Sequence, residues 1–591
     1  MGSDNSLLPV LRWAPAYNIS KFSDDALAAA IVTIMLIPQS LAYALIAGLP
    51  PEVGLYASIL PLAVYALFGT SNTLAIGPVA VVSLMTATVI GRVAETGSAD
   101  YIAAAMTLAF LTGLILIALG AIRLGFLANF LSHPIIAGFI AASGILIAAN
   151  QMKHVLGVTG GGENLFEIIE SLILHVGDLN LTTFAIGAGS IIFLYWTRGY
   201  FEKMLVALGL PAKIASSVAK AGPLLAVIGT TVLVFSLGLH EKGVAIVGEV
   251  PQGLPAIALP AIDLPLWREL AGPAFLIAII GYVESISVAQ TLAAKRRERI
   301  DLDQEMIGLG AANFASGVSG GFPVTGGFAR SVVNFDAGAK TPAAGAFAAI
   351  GIALAALYLT PFLYYLPQAT LAATIIVAVL SLVNFDLAKR TWSYSKSDFA
   401  AMMITIAGVF AFGVEIGIVA GILLSIVLLL FRASKPHHAI VGQVPGTEHF
   451  RNIKRQKVIT SSDVASIRID GNLFFANARF LEDHILGLVA DEPSLKHIVL
   501  MCSAINEIDA SALESLETIN ERLSHANVTF HLSEVKGPVM DRLKRTHFLD
   551  ALSGRVFLSQ FEAMHTLDPE TFTPPNGAPP PHPAAADKAS P

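Results

Sequence analysis

The sequence predicts an all-α polytopic membrane domain followed by a small α/β domain, and three observations support this fold class. The 591 residues are 54% hydrophobic and only 13% charged, with a mean hydropathy of +0.69, which is too apolar for a soluble protein of this length. Apolar stretches follow one another as far as Phe431. Beyond Phe431 the composition becomes that of a soluble domain in which strand patterns alternate with helix patterns.

Composition also limits the classes of function. The formal net charge of -7 argues against a nucleic-acid partner. Cys502 is the only cysteine, so the sequence predicts neither a disulfide framework nor a thiolate metal site. Residues 1–21 lack the apolar core and cleavage site of a secretory signal, and we interpret them as a cytoplasmic N-terminal segment.

Fourteen apolar stretches predict about 14 spans in a transmembrane transport domain over residues 22–432. The first seven lie near 26–48, 53–69, 78–91, 101–121, 133–150, 181–196 and 222–239. The second seven lie near 271–293, 304–319, 326–337, 342–359, 362–383, 399–413 and 416–431. The third stretch of each set is interrupted by glycine and proline, which indicates an internal repeat with halves at about 22–240 and 268–432. Because seven is odd, this seven-plus-seven repeat is expected to be inverted.

Basic residues mark one side of the predicted membrane domain. They follow the fourth, sixth, eighth, twelfth and fourteenth stretches, as Arg123, then Arg198, Lys203, Lys213 and Lys220, then Lys295 to Arg299, then Lys389, Arg390 and Lys396, then Arg432 and Lys435. The positive-inside rule therefore predicts that both termini are cytoplasmic. We expect a multi-pass protein in the lipid bilayer of a bacterial-type inner (plasma) membrane.

Two segments break the helical pattern at membrane depth. One runs over residues 69–86, where Ala75-Ile76 predicts a short extended run, and the other is centred on residues 320–331. Irregular backbone in a membrane is tolerated where protein or a watery cavity covers it. In transporters, helices that start at mid-membrane, here from Pro78 and Gly326, point their positive dipole ends at an anion. The pair therefore predicts an anion-binding site, although either segment alone also fits an ordinary kink.

The region after the spans predicts a small cytoplasmic α/β domain. A linker over 433–439 leads to this domain at 440–566. Apolar patterns predict strands at 464–469, 497–502 and 529–533, and helices at 478–488, 510–523 and 539–546. Residues 567–591 are rich in Pro and Ala and are expected to be disordered.

Several motifs resemble the SulP family of anion transporters, the sulfate permeases. They are Pro38 to Ala44 with Gly48 to Pro51 and Gly54 to Tyr56, then Gly77 to Ala80, Gly281 to Ser285, and Gly326 to Ser331. The last domain is similar to the STAS domain that these transporters carry at the C-terminus. The resemblance covers nearly the whole chain. It implies a uracil-permease-like fold in which a core domain moves against a gate domain, and a homodimer.

The resemblance also implies that the substrate lies between the first span and the two half-helices. The candidate substrate-binding residues are Gln39, Tyr43, Pro78, Val79, Ala80, Phe328, Ala329 and Arg330. Arg330 would add a full positive charge, unless it forms a structural pair with a carboxylate such as Glu284. The family often has a serine just before this arginine; because this chain has Ala329 instead, backbone amides are expected to carry more of the anion contact. Ser83 and Thr86 are weaker candidates.

Glu284 lies within the predicted eighth span. A carboxylate there costs about 3 kcal/mol on insertion scales, so it is expected to face the protein interior. A divalent anion beside Arg330 would feel an ionised Glu284, so that anion binding and protonation favour each other. This coupling suits a proton symporter, and in the proton-coupled branch of the family a glutamate at this motif position is the proposed proton acceptor. Neutralisation by Na⁺, as in the bicarbonate branch, and a purely structural carboxylate remain open.

We therefore expect a secondary active transporter that moves sulfate inward with protons, without a cofactor other than the coupling ion, H⁺ or alternatively Na⁺. Sodium-coupled transport of bicarbonate, or transport of a dicarboxylate, is the nearest alternative. An uncoupled anion channel or anion-gated motor is less compatible with an ionisable Glu284. An enzyme is not expected, because the spans contain no paired catalytic carboxylates, metal-ligand cluster or nucleophile beside a histidine.

A possible regulatory residue lies in the STAS-like domain, where Asp509-Ala510-Ser511 follows a predicted strand and opens a helix. Asp509 or Ser511 fits a plain helix N-cap. The resemblance to anti-sigma-factor antagonists places their phosphorylatable serine at Ser511. The domain is expected to bind regulatory proteins, and the sequence indicates no kinase or nucleotide site.

Overall fold

The computed structural model describes residues 8–574 except 131, 132, 163, 212–214, 216–218, 220 and 382. The chain forms two compact units, residues 1–425 and 426–591, and each is described by itself. The first unit contains the predicted spans and the second contains the small α/β domain.

Helices occupy most of the first half of the membrane unit. They are α1 (Val10–Trp13), α2 (Ile19–Ile46), α3 (Pro51–Tyr56), α4 (Leu60–Phe68), α5 (Ala80–Ile90), α6 (Ala99–Ala121), α7 (His133–Leu156), α8 (Leu165–Leu174), α9 (Leu181–Trp196), α10 (Glu202–Ala207) and α11 (Gly222–Leu237). A single π-helical turn, Thr197–Phe201, separates α9 from α10. Side-chain caps begin several of these helices; Asn18 accepts a hydrogen bond from the amide of Lys21 before α2, and Asn180 from that of Thr183 before α9.

The second half repeats this pattern. Its helices are α12 (Leu264–Arg296), α13 (Leu302–Val318), α14 (Phe328–Ala337), α15 (Ala343–Tyr358), α16 (Gln368–Leu380), α17 (Phe385–Tyr394), α18 (Lys396–Phe412) and α19 (Val414–Ser434). The last of these continues beyond residue 425 into the second unit. The predicted twelfth span starts late, at Gln368, because a 3-10 turn and Pro367 precede it.

Each of the fourteen predicted stretches overlaps at least one of these helices, and the second, near 53–69, overlaps both α3 and α4. The number of spans stays a prediction. Among the described residues, seven helical stretches are long and apolar enough to cross a membrane by length and composition. They are Ile19–Ile46, Pro51–Phe68, Ala99–Ala121, His133–Leu156, Leu264–Arg296, Gln368–Tyr394 and Ile416–Ser434. The helical membrane domain itself is confirmed.

The two broken segments meet as a minimal sheet. Strands β1 (Ile76–Gly77) and β2 (Thr325–Gly326) pair antiparallel, with Ile76 opposite Gly326 and Gly77 opposite Thr325. The half-helices α5 and α14 start just after these strands. The predicted starts at Pro78 and Gly326 were therefore two residues early. Pro78 and Gly326 lie in the two extended segments around β1 and β2, which we call the crossing, rather than in the first helical turn. Val79 and Gly327 are the N-caps.

Each half of the membrane unit contains a buried carboxylate that accepts hydrogen bonds from the other half. Asp25, in α2, accepts hydrogen bonds from the amides of Lys340 and Thr341 and from the Thr341 hydroxyl, at 2.6, 3.1 and 2.6 Å. Glu305, in α13, accepts from the hydroxyl of Tyr65 and from the amides of Thr70 and Ser71, at 2.8, 2.5 and 2.8 Å. Both residues are 0% exposed. Their charges are satisfied by several donors each, as a buried carboxylate requires.

The second unit is an α/β sandwich around one sheet. The strands are β3 (His438–Gln443), β4 (Phe450–Asn452), β5 (Val464–Ile469), β6 (His497–Met501), β7 (Thr529–Ser533) and β8 (Val556–Phe557), in the order β4-β3-β5-β6-β7-β8. Strands β5 to β8 are parallel, and β3 is antiparallel to both neighbours. The helices are α20 (Ala478–Asp491), α21 (Ala510–His525), α22 (Gly537–Leu543), α23 (Phe548–Ala551) and α24 (Gln560–Leu567).

The edges of this unit extend further than the sequence analysis predicted. Strands β4 and β8 were missed because they are short edge strands. Strand β3 was missed because it begins inside the predicted linker, where α19 runs to Ser434 and β3 starts at His438. Phe572, within the predicted disordered tail, is 0% exposed and packs against the Phe450 ring. The rest of the predicted tail, from residue 575, lies outside the described residues.

The single cysteine gives a test of this second unit. Cys502 is 2% exposed, and burial raises the pKa of its thiol to about 12. Because the thiolate is the reactive form, we expect iodoacetamide at pH 8 to label Cys502 at least ~100-fold more slowly in the folded chain than in guanidinium. Mass spectrometry of timed samples measures the rate. Equal rates in the two conditions would contradict the buried position.

Candidate functional site

A small cavity of about 50 Å³ lies where α2, α12 and the two half-helices meet. Its lining contains eight of the nine predicted binding and coupling residues: Gln39, Tyr43, Val79, Ala80, Glu284, Phe328, Ala329 and Arg330. The remaining surface is formed by apolar and glycine residues of α5, α7 and α16, together with the N-cap Gly327. Residues far apart in the sequence thus converge on one cavity.

The two half-helices present their N-termini to this cavity. Val79, Ala80 and Val81 line it from α5, and residues 327–330 line it from α14. Neither helix has a side-chain cap. The first amides of an α-helix have no intrahelical acceptor, and together they carry about half a positive charge. The cavity therefore faces two sets of amide donors.

Arg330 is held by backbone carbonyls. Its Nε donates to the oxygen of Ala75 at 2.8 Å, Nη1 donates to Pro78 at 2.6 Å, and Nη2 donates to Gly77 and Thr325 at 2.6 and 2.7 Å. The residue is 2% exposed. The guanidinium thus bridges both strands of the crossing, and each of its three nitrogens has at least one acceptor.

Glycine makes room for this bridge. A Cβ at position 327 would lie 2.8 Å from the Arg330 Nε, and one at position 77 would lie 3.3 Å from Nη1. Gly77 also has a φ of +152°, which side-chain-bearing residues rarely adopt. The glycines that break the helices are therefore the ones that let the guanidinium reach the carbonyls.

A direct pair between Arg330 and Glu284 does not occur among the salt bridges of the described residues. Glu284 is partly exposed, and it lines the cavity beside Arg330. Arg330 is therefore held by carbonyls and not by the structural pair with this carboxylate that the sequence left open. Its planar guanidinium has five N–H donors and can bind several oxygens at once.

Hydroxyl groups fix the helix that carries Glu284. The Ser285 and Thr325 hydroxyl oxygens are 2.6 Å apart, Thr325 Oγ1 donates to the oxygen of Gly281 at 2.6 Å, and the Gly326 amide donates to Ser285 Oγ at 2.8 Å. These contacts join α12 to β2 one residue from the carboxylate. Ser285 is the last residue of one family motif and Thr325 lies in the second broken segment, and their pairing was not predictable from spacing.

Other predicted residues have different surroundings. Pro78 is not part of the cavity lining; its carbonyl is an acceptor of Arg330. The hydroxyls of Ser83 and Thr86 are buried in α5 without a hydrogen-bond partner among the described residues, and neither lines the cavity. In the second unit Asp509 is the N-cap of α21, accepting from the amide of Ala512 at 2.8 Å, and Ser511 is exposed in the first turn.

A larger cavity of about 320 Å³ adjoins the small one. The two share Gln39, Ala329 and Ala378, so the larger cavity leads to the half-helix α14. Arg198, in the turn after α9, and Glu202, the first residue of α10, are the charged residues among its described lining. The sequence analysis assigned Arg198 only to the basic side of the membrane.

Family comparison agrees with the two-part architecture. Residues 22–405 match the sulfate permease family, and residues 455–563 match the STAS domain.

Curated relatives match along nearly the whole chain. Sulfate transporter 4.1, chloroplastic, of Arabidopsis thaliana is 35% identical over 94% of this chain and 80% of its own length. High affinity sulfate transporter 1 of Stylosanthes hamata is 31% identical over 96% of this chain and 86% of its own length.

Solved structures share the fold. The murine Slc26a9 anion transporter in the inward-facing state superposes with a TM-score of 0.85 at 23% identity, covering 96% of each chain. The transmembrane domain of a cyanobacterium bicarbonate transporter, BicA, superposes with a TM-score of 0.58 at 19% identity, covering 69% of this chain and 98% of that one. By family match, by relatives and by fold, the chain is a multi-pass membrane protein that belongs to the sulfate permease family and carries a C-terminal STAS domain.

Proposed function

We propose that this chain is a secondary active anion transporter that moves sulfate inward with protons by alternating access. The observation that carries the proposal is the shared cavity, in which the carboxylate of Glu284 and the N-termini of two half-helices line the same small space. An anion site and a titratable group so close together are the two parts that coupled transport needs.

The anion is bound in this proposal mainly by backbone amides. Amides at the starts of α5 and α14 are donors without intrahelical acceptors, and a helix N-terminus favours negative charge. Arg330 adds a fixed positive charge behind these amides, while its own nitrogens are occupied by carbonyls. Because Ala329 has no hydroxyl, the backbone amides are the donors that this turn offers, and the side chains of Gln39 and Tyr43 are further donors in the same lining.

Coupling follows from electrostatics in the same cavity. A bound divalent anion repels an ionised Glu284, and this repulsion is stronger in a cavity within the protein than it would be in bulk water. Protonation of Glu284 removes it. The proton and the anion therefore each increase the affinity of the site for the other, and this effect is reciprocal by thermodynamic linkage.

Sulfate is the proposed substrate because the relatives that match this chain over nearly its full length are named sulfate transporters. The small cavity also suits an inorganic anion better than a large organic one. Sodium-coupled bicarbonate transport is the second candidate, favoured by the fold shared with a bicarbonate transporter.

The cellular arrangement is part of the same proposal. The distribution of basic residues supports a plasma-membrane protein with both termini in the cytoplasm. We further propose that the chain acts as a homodimer and that the STAS domain binds regulatory proteins, with Ser511 exposed for modification.

Glu284→Gln tests the coupling. In proteoliposomes, wild type should accumulate sulfate under an inward proton gradient. The variant should lose at least ~10-fold of this accumulation yet keep exchange of internal for external sulfate, because glutamine imitates the protonated state. Radiolabelled sulfate uptake with and without the gradient measures both activities.

The matched control is Glu269→Gln, which makes the same change at an exposed position of α12. It should leave the gradient dependence unchanged. If Glu284→Gln accumulates sulfate as wild type does, the carboxylate is not the coupling group. If wild type moves no sulfate, sodium-driven bicarbonate uptake becomes the next assay.

Arg330→Lys tests whether the guanidinium of Arg330 stabilises the crossing by bonding carbonyls of both strands. Lysine keeps the charge but cannot reach four carbonyls from one nitrogen, and each buried carbonyl left without a donor costs about 1–3 kcal/mol. We expect the thermal midpoint of the purified chain to fall by several degrees in the absence of sulfate. Ala329→Ser, a small change in the same turn, should keep the midpoint. An unchanged midpoint for Arg330→Lys, together with lost sulfate affinity, would instead indicate a direct anion ligand.

A further inference from the structure

The larger cavity has a charged residue with no role in the site described so far. Arg198 lies in the π-helical turn Thr197–Phe201 and lines the cavity that leads to the anion site. Such turns are rare, and they occur frequently at functional positions. Its Nη1 donates to the carbonyl of Val377 at 2.9 Å. That contact fixes the side chain on α16, a helix that lines both cavities.

The bonding of Arg330 leaves it little capacity to bind an anion directly. Four of its five N–H groups donate to carbonyls, so an anion in the small cavity meets its positive charge but at most one further N–H donor, on Nη1. Arg198 has more N–H donors available than Arg330. Its hydrogen bond among the described residues uses one N–H of Nη1, and a guanidinium has five N–H groups. A guanidinium suits tetrahedral oxyanions because it offers two parallel donors.

Glu202 limits the strength of this position. It lies four residues after Arg198 and lines the same cavity, so its negative charge opposes the positive one. No salt bridge between the two occurs among the described residues. A station on a transport path must attract the ion and also release it. The pair of opposite charges provides such a moderate attraction.

We propose that Arg198 is an anion-binding residue on the cytoplasmic side of the path, which holds the oxyanion in the larger cavity between the half-helices and the cytoplasm, and that Glu202 weakens this binding. The inference rests on the proposed function. It assigns an anion contact to a residue outside the small cavity, and it predicts that this residue governs the apparent affinity for sulfate at the cytoplasmic face rather than the rate of the transport cycle.

The test compares charge variants of the full chain in proteoliposomes. Initial rates of sulfate exchange are measured against the sulfate concentration at the cytoplasmic face, at low and high ionic strength. Arg198→Gln should raise the sulfate KM about 10-fold at low ionic strength with the maximal rate within about twofold, since charge pairs of this kind act on capture. High salt should reduce the difference, because screening weakens the attraction in wild type.

Three further variants separate charge from packing. Arg198→Lys, which keeps the charge, should restore most of the affinity. Glu202→Gln should change the KM in the opposite direction, to a lower value. Arg390→Gln removes a positive charge at an exposed position of α17, away from both cavities, and should behave as wild type.

The possible outcomes are distinguishable. A wild-type KM in Arg198→Gln overturns this inference alone, provided that wild type transports sulfate. A loss of maximal rate in both Arg198→Gln and Arg198→Lys, with a lower thermal midpoint, also overturns it and indicates that the residue only anchors α16. A wild type that moves no sulfate overturns the proposed function, and this inference with it.

Discussion

The crossing of β1 and β2 depends on the bonds that Arg330 makes to four carbonyls. Where two segments of the chain leave the helical conformation at membrane depth, they expose amide and carbonyl groups that water cannot reach. Such groups are costly unless they are paired. Side chains supply the partners here. Besides Arg330, Asn313 bonds both the amide and the carbonyl of Val324, at 2.9 and 2.8 Å, and Ser331 Oγ accepts from the amide of Ala75 at 3.0 Å. The broken helices are therefore a rigid platform.

The bonding of Arg330 separates its positive charge from its hydrogen-bond donors, two properties that are often assumed to act together on a bound anion. The charge of Arg330 acts at the site, whereas four of its five donors bind the backbone. Recognition of the anion is then assigned mainly to amides at the helix N-termini, and a further contact on the cytoplasmic side is proposed for Arg198 in the larger cavity. Glu284 can respond to an anion without first breaking an ion pair with Arg330. The proposed coupling thus needs only a change of protonation in the bound state.

The sequence predicted the parts of this arrangement that leave local signals. Paired interruptions by Gly and Pro predicted both half-helices, and a carboxylate within an apolar stretch pointed to Glu284. The family resemblance implied the substrate-binding residues, and eight of the nine binding and coupling residues line one cavity. Contacts across long sequence separations left no such signal. Three of the four carbonyl partners of Arg330 and the donors around Glu305 come from the other half of the chain. The edge strands of the STAS domain are too short to show alternation. Pro78 gave a misleading signal, since a proline suited to a first helical turn lies instead in the crossing.

The most direct measurement of the central claim counts the protons that accompany sulfate binding. Calorimetric titration of the purified chain at mildly alkaline pH, in buffers with different ionisation enthalpies, gives this number without transport or membranes. The account predicts uptake of about one proton per sulfate in wild type and almost none in Glu284→Gln, because the anion and the proton stabilise each other in one cavity. Sulfate binding to wild type without proton uptake would contradict it.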